Sequence, residues 1–176
     1  NASLFISIGT TMEAVAAALI KQRKNLRIIT NNIYVAALAS ARSDYTVIIT
    51  SGVVRPLDGG VTGVATVDFI NQFKVDYAVL STHGVEGDGS LLDYDYKEVS
   101  VMQAMMANAR VRFLGVDHSK FQSHALVRLG DITDFDRVFT DRAPDGKMQK
   151  ILTAAGVEWL VPDICQHATE TAKDEK

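Results

Sequence analysis

An alternation constrains this chain more than any other feature: short runs rich in β-branched and aliphatic residues are separated by longer stretches with helical spacing. The short runs lie at residues 4–8, 27–30, 46–50, 77–82, 111–116, 137–140 and 158–161. Between them, residues 12–22 carry Val15, Ala18 and Leu19, residues 32–41 carry Val35, Leu38 and Ala39, and residues 94–109 carry Val101, Met105 and Ala109. Each of these sets falls on one face of a helix. Strands that alternate with helices build βαβ units, so the pattern predicts an α/β domain with a mostly parallel central sheet and helices on both faces. Gly59-Gly60 and Gly87-Asp88-Gly89 mark turns, and Ala143-Pro144-Asp145-Gly146 marks the entry to a last helix. Met102, Met105 and Met106 recur at helical spacing and are expected to fill core or interface.

With 176 residues, 47% of them hydrophobic and 22% charged, the chain can bury one sizeable core. One domain over residues 1–165 is expected, followed by a polar C-terminal tail at 166–176. No run approaches the ~20 apolar residues of a membrane span, and no basic stretch followed by an apolar block opens the chain. A cytoplasmic address without a membrane partner is the expectation. The single cysteine, Cys165, has no partner for an intrachain disulfide, which fits a reducing compartment. The net charge is −3 and lysine and arginine are scattered, so this piece carries no basic stripe for a nucleic-acid backbone. It starts at Asn1 and runs directly into an apolar strand. An upstream part is therefore expected to be missing.

Chemistry concentrates where strands end. In Phe5-Ile6-Ser7-Ile8-Gly9-Thr10-Thr11-Met12-Glu13 a strand closes on a glycine, two hydroxyl residues follow, and a helix begins. Free backbone N–H groups and threonine hydroxyls then converge at the positive end of a helix dipole, which suits phosphate. Thr10 and Glu13 also have the spacing of a capping box, which needs no ligand. Ile29-Thr30-Asn31-Asn32 repeats the geometry, and Thr50-Ser51-Gly52 repeats it more weakly. In an open parallel sheet, ligands gather outside the carboxyl ends of the strands. Gly9, Thr10, Thr11, Thr30, Asn31 and Gly52 are thus candidates for one anion site.

Two further segments add charge. Asp95 and Glu98 can accept hydrogen bonds from the hydroxyls of a polyol or hold a divalent cation, or they can simply cap a helix, as can Asp93 before them. The spacing lacks a calcium-loop pattern, and no metal or cofactor is expected. In Asp117-His118-Ser119-Lys120-Phe121 a lysine is available to pair with phosphate, while Asp117 can hold the lysine or a ligand hydroxyl. A turn with a surface ion pair is the plainer alternative. His118 and His124 lack a metal-ligand arrangement.

Taken in order, these motifs resemble the C-terminal domain of the DeoR family of bacterial transcriptional repressors, and among them the glycerol-3-phosphate regulon repressors. The match runs from Ile8-Gly9-Thr10-Thr11-Met12-Glu13-Ala14-Val15-Ala16 and Ile29-Thr30-Asn31-Asn32 through residues 55–63 with Asp58-Gly59-Gly60 and through Phe69-Ile70-Asn71-Gln72-Phe73. It continues in Asp88-Gly89-Ser90-Leu91-Leu92, Asp95-Tyr96-Lys97-Glu98-Val99 and Asp117-His118-Ser119-Lys120-Phe121. The resemblance implies a fold like that of ribose-5-phosphate isomerase and glucosamine-6-phosphate deaminase, and a sensor without catalytic activity. The implied effector is a phosphorylated sugar or polyol, with glycerol 3-phosphate the first candidate. It also implies a homo-oligomer that reaches operator DNA through an N-terminal winged helix-turn-helix lying outside this chain. Ser7 stands where the family pattern has an acid, Ser51-Gly52 where a glycine pair is common, and His83 where smaller residues are usual. Ser7 and His83 are accordingly candidates for altered effector choice. An isomerase or deaminase, with Glu98 or Asp95 as base and Lys120 as electrostatic partner, is the competing reading. A pure oligomerisation module is a third.

Overall fold

The computed structural model describes residues 1–162; Cys165 and the tail at 166–176 lie outside the described residues. In chain order the elements are β1 (Ser3–Ile6), α1 (Thr10–Gln22), β2 (Arg27–Thr30), α2 (Ile33–Ser40), β3 (Thr46–Ile49), β4 (Val53–Val54), β5 (Val61–Thr62) and α3 (Val64–Ile70). The chain continues with β6 (Val75–Leu80), β7 (Gly84–Val85), β8 (Ser90–Asp93), α4 (Tyr96–Ala107), β9 (Ala109–Gly115), β10 (Val127–Asp131), β11 (Arg137–Phe139), α5 (Gly146–Ala155) and β12 (Glu158–Leu160). Seven strands form one sheet in the order β12-β11-β9-β6-β1-β2-β3, and every neighbouring pair is parallel.

Both faces of this sheet are buried at its centre, which is why its inner strands read as continuous apolar runs. In β1, Leu4 and Ile6 point to one side, where Met12 and Ala16 of α1 and Val35 and Ala39 of α2 cover them. Phe5 points to the other, where it joins Ile70 of α3, Met102, Met105 and Met106 of α4, and Met148 and Leu152 of α5. The methionines are core residues, as expected. Local signals start the helices. The Asn32 side chain accepts hydrogen bonds from Tyr34 N and Val35 N, the Asp95 side chain from Lys97 N, and the Asp145 side chain from Met148 N.

The order of strands decides where a ligand can sit. From β1 the chain steps outward to β2 and β3, then crosses back to lay β6 on the other flank of β1 and steps outward again through β9, β11 and β12. Loops leaving β1 and β6 therefore turn away in opposite directions, and a crevice opens between them at the carboxyl ends of the strands.

Several elements depart from the simple alternation. Residues 90–93, expected as an acidic approach to a helix, form β8 in a three-stranded antiparallel sheet with β7 and β10, and β4 pairs with β5 in a hairpin of its own. Helix α4 is shorter than the stretch 94–109, because Asp95 caps its start and β9 already begins at Ala109. The short helix α3 was masked by its β-branched content, Val64, Thr66, Val67 and Ile70.

Candidate functional site

A cavity of about 420 Å³ fills the crevice between β1 and β6. Its first wall is the entry to α1. Gly9 is the N-cap with φ 114 and ψ 153, a conformation that favours glycine, and its carbonyl accepts from Met12 N and Glu13 N. A glycine cap has no side chain to offer, so the capping box of Thr10 and Glu13 does not form. The N–H groups of Gly9, Thr10 and Thr11, and the two threonine hydroxyls, find no acceptor among the described residues. These donors sit at the positive end of a 13-residue helix and line the cavity.

The opposite wall comes from the single turn of 3-10 helix at His118–Lys120, which follows β9. Asp117 caps it, accepting from the N–H of Ser119 at 2.8 Å and from the Ser119 hydroxyl. Those bonds, with the nearby Lys120 charge, outweigh partial burial and hold the Asp117 carboxyl below the ordinary range. Lys120 lines the cavity and makes no ion pair among the described residues.

Carboxylates make up the third wall. Arg55, between β4 and β5, bonds Asp58, Asp95 at 2.8 Å and Glu98 at 2.8 Å. Burial penalises its guanidinium, but these three partners raise its pKa overall. Asp58 and Asp95 are lowered although burial opposes it, Asp58 by Arg55 and the Gly60 N–H, Asp95 by the Lys97 N–H and Arg55. Glu98 behaves differently. Burial and the neighbouring Asp93 push its carboxyl up to about 7, against the pull of Arg55. Asp93, 1% exposed, accepts from Tyr94 N at 2.7 Å and faces His83 Nδ1 at 3.1 Å.

The cavity gathers Gly9, Thr10, Thr11, Glu98, Asp117, Lys120 and His83 from the residues singled out in the sequence. Thr30, Asn31, Gly52 and Ser7 do not line it. The Thr30 hydroxyl donates to Ile6 O at 2.7 Å and accepts from Asn32 N, which locks β2 to β1. Fully buried Asn31 holds the hairpin through Nδ2 to Val61 O, and Gly52 lies against Thr66 and Thr62. Ser7 is buried at the end of β1, with its hydroxyl 3.4 Å from Ile8 O. Asp95 sits beside the cavity as cap and Arg55 partner, in an adjoining groove with Tyr94. Glu98 does not reach back to the α4 cap and turns to Arg55 instead. Asp58, Asp93, Glu13 and Tyr34 also line the cavity and were not singled out for it. Glu13 and Asp58 had a signal in the motifs that contain them, Asp93 was read only as a possible cap, and Tyr34 had none. Among the described residues no group of three or more His, Cys, Asp or Glu side chains is placed to hold a metal ion, and no helix is long and apolar enough to cross a membrane.

Along most of its length the chain is similar to known proteins. The chain is 46% identical over 153 residues to the glycerol-3-phosphate regulon repressor of Escherichia coli K12, a match covering 87% of this chain and 60% of that protein. It is 48% identical over 146 residues to the protein of that name from Haemophilus influenzae, covering 83% and 56%. It is 35% identical over 162 residues to the HTH-type transcriptional repressor CsqR of E. coli K12, covering 92% and 62%. The chain thus spans about 60% of the length of the curated relatives it matches. Among solved structures, ribose 5-phosphate isomerase A from Neisseria gonorrhoeae aligns with a TM-score of 0.49 at 15% identity, over 70% of this chain and 47% of that one. The family model of the DeoR C-terminal sensor domain matches residues 1–142. With that match over most of its length, and with relatives above 30% identity along nearly the whole of it, the chain belongs to the DeoR C-terminal sensor domain family.

Proposed function

We propose that this domain senses a phosphorylated polyol or sugar for a bacterial transcriptional repressor, with glycerol 3-phosphate the first candidate. One observation carries the reading: the N–H and hydroxyl donors at the start of α1 and Lys120, which have no partner among the described residues, line one cavity at the switch point of the sheet. Phosphate is the group that satisfies both walls at once. Gly9, Thr10, Thr11 and Lys120 hold the phosphate, and Glu98 and Asp117 lie within the same cavity for the remainder of the ligand. The names of the relatives support glycerol 3-phosphate as the first choice.

In this reading the sensor domain occupies residues 1–165 with a polar tail at 166–176. It works in the cytoplasm as a homo-oligomer and reaches operator DNA through a separate N-terminal winged helix-turn-helix. Sedimentation at high concentration reads the self-association, and a monomer throughout would remove it. The domain binds without catalysing. Arg55 occupies one oxygen of Glu98, which opposes the use of that carboxyl as a general base.

A thermal-shift panel of phosphorylated metabolites tests the proposal, since a ligand that binds only the native state raises the melting temperature by mass action. Glycerol 3-phosphate should raise it in a concentration-dependent manner. Silence across three- to six-carbon phosphates would contradict the reading, as would turnover above background in an aldose–ketose interconversion assay.

A further inference from the structure

The phosphate wall explains how an anion is held, and it leaves the carboxylate wall without an assignment. Five carboxyl groups line the cavity, Glu13, Asp58, Asp93, Glu98 and Asp117. Against them stand Lys120, which faces the phosphate end, and Arg55, already engaged by Asp58, Asp95 and Glu98. A second anionic group on the ligand would be repelled there. His83 interrupts this wall. Its ring is half exposed and lines the cavity, with Nδ1 facing Asp93 Oδ1 at 3.1 Å and its plane set edge-on to Tyr94 at 5.2 Å between ring centroids. A carboxylate buried to 1% exposure, itself fixed by the Tyr94 N–H, orients that imidazole. A proton on Nδ1 would point to this carboxylate, and Nε2 would then be the ring nitrogen that accepts.

We infer that His83, positioned by Asp93, is the specificity residue of this cavity and selects a phosphate ester that carries a free hydroxyl over one that carries only an alkyl chain. The inference rests on the phosphate-sensing reading given above. A hydroxyl donates to the acceptor nitrogen or to the carboxyl groups beside it. An alkyl chain offers these acceptors no donor and displaces the water that otherwise reaches the half-exposed ring. His83 touches the ligand; Asp93 acts through His83.

Three probes separate the outcomes in calorimetric titrations of this chain: glycerol 3-phosphate, n-propyl phosphate and phosphoethanolamine. Wild type should bind glycerol 3-phosphate at least about tenfold more tightly than n-propyl phosphate, a difference on the scale of one or two hydrogen bonds. In His83→Leu the ratio should fall to within about threefold, through weaker binding of glycerol 3-phosphate. In Asp93→Asn the ratio should also fall. The ring nitrogen chemical shifts of His83 should change there from a single Nδ1–H tautomer to a mixture, a response that general destabilisation does not produce. Equal wild-type affinity for glycerol 3-phosphate and n-propyl phosphate would overturn the inference, as would a preference that survives His83→Leu. Tighter binding of phosphoethanolamine than of glycerol 3-phosphate would overturn it in favour of an amine reader. If no phosphate ester binds the wild type, the phosphate-sensing reading itself fails and takes the inference with it.

Discussion

Glu98 is a carboxyl only 5% exposed, held beside Asp93 and bonded to Arg55 at 2.8 Å. Its pKa lies at about 7 against an ordinary 4.5. Between those values this group binds more protons in the native state than in the unfolded chain, so its own contribution to stability is complete below about pH 4.5 and is lost as pH rises through about 7. The full effect is about 3 kcal/mol at most. Glu98→Gln removes the titrating group, and the unfolding free energy of wild type relative to this variant should fall between pH 4.5 and 7.5. Urea unfolding at a series of pH values reads it, and parallel pH profiles would contradict it. Residue roles at the other strand ends were only partly legible in the sequence. Ser7, Thr30 and Asn31 have the same small polar character as Thr10 and Thr11, yet none of them lines the cavity: the Thr30 hydroxyl bonds β1 and the Asn31 amide nitrogen bonds the hairpin. Side-chain type marks a strand end; it does not reveal whether a neighbouring backbone group has already claimed the side chain.

The hairpin of β4 and β5 carries Asp58 to the cavity with Arg55 bonded behind it, and a glycine lets it pack against the start of α3. Gly52 has φ +139, and a Cβ there would lie 2.1 Å from Thr66 Oγ1 and 2.8 Å from the Thr62 carbonyl oxygen. Thr66 Oγ1 in turn donates to Ser51 O at 2.7 Å, so the crowding falls on a bonded group. Gly52→Ala should cost about 2 to 4 kcal/mol from backbone strain and overpacking together. Gly9→Ala has the strain alone, because nothing lies within 4 Å of the added carbon, and should cost about 1 to 2 kcal/mol. Equal losses in urea unfolding would contradict this account of the hairpin. Strands of the main sheet were legible because burial on both faces selects continuous apolar runs. The elements that build the carboxylate wall were not. A two-residue strand such as β4 has no period to read, and β8, Ser90-Leu91-Leu92-Asp93, sits among acids that also suit a helix start.

At the scale of the whole molecule, one topological event places the site. The reversal of strand order between β1 and β6 brings the N-terminus of α1 and Lys120 to one cavity, residues more than a hundred positions apart in the chain. The parallel sheet could be read from the alternation, but which strands flank the reversal depends on long-range pairing that no local pattern records. The account stands on these two walls holding one phosphate. Each neutral hydrogen bond contributes about 1 kcal/mol net, and one to a charged group about 1.5 to 3 kcal/mol. The direct measurement is calorimetric titration of glycerol 3-phosphate into wild type, Thr11→Ala and Lys120→Ala. Wild type should bind one equivalent per chain, Thr11→Ala about fivefold more weakly, and Lys120→Ala more than about tenfold more weakly. Unchanged affinity in both variants, or no binding by the wild type, would contradict the account.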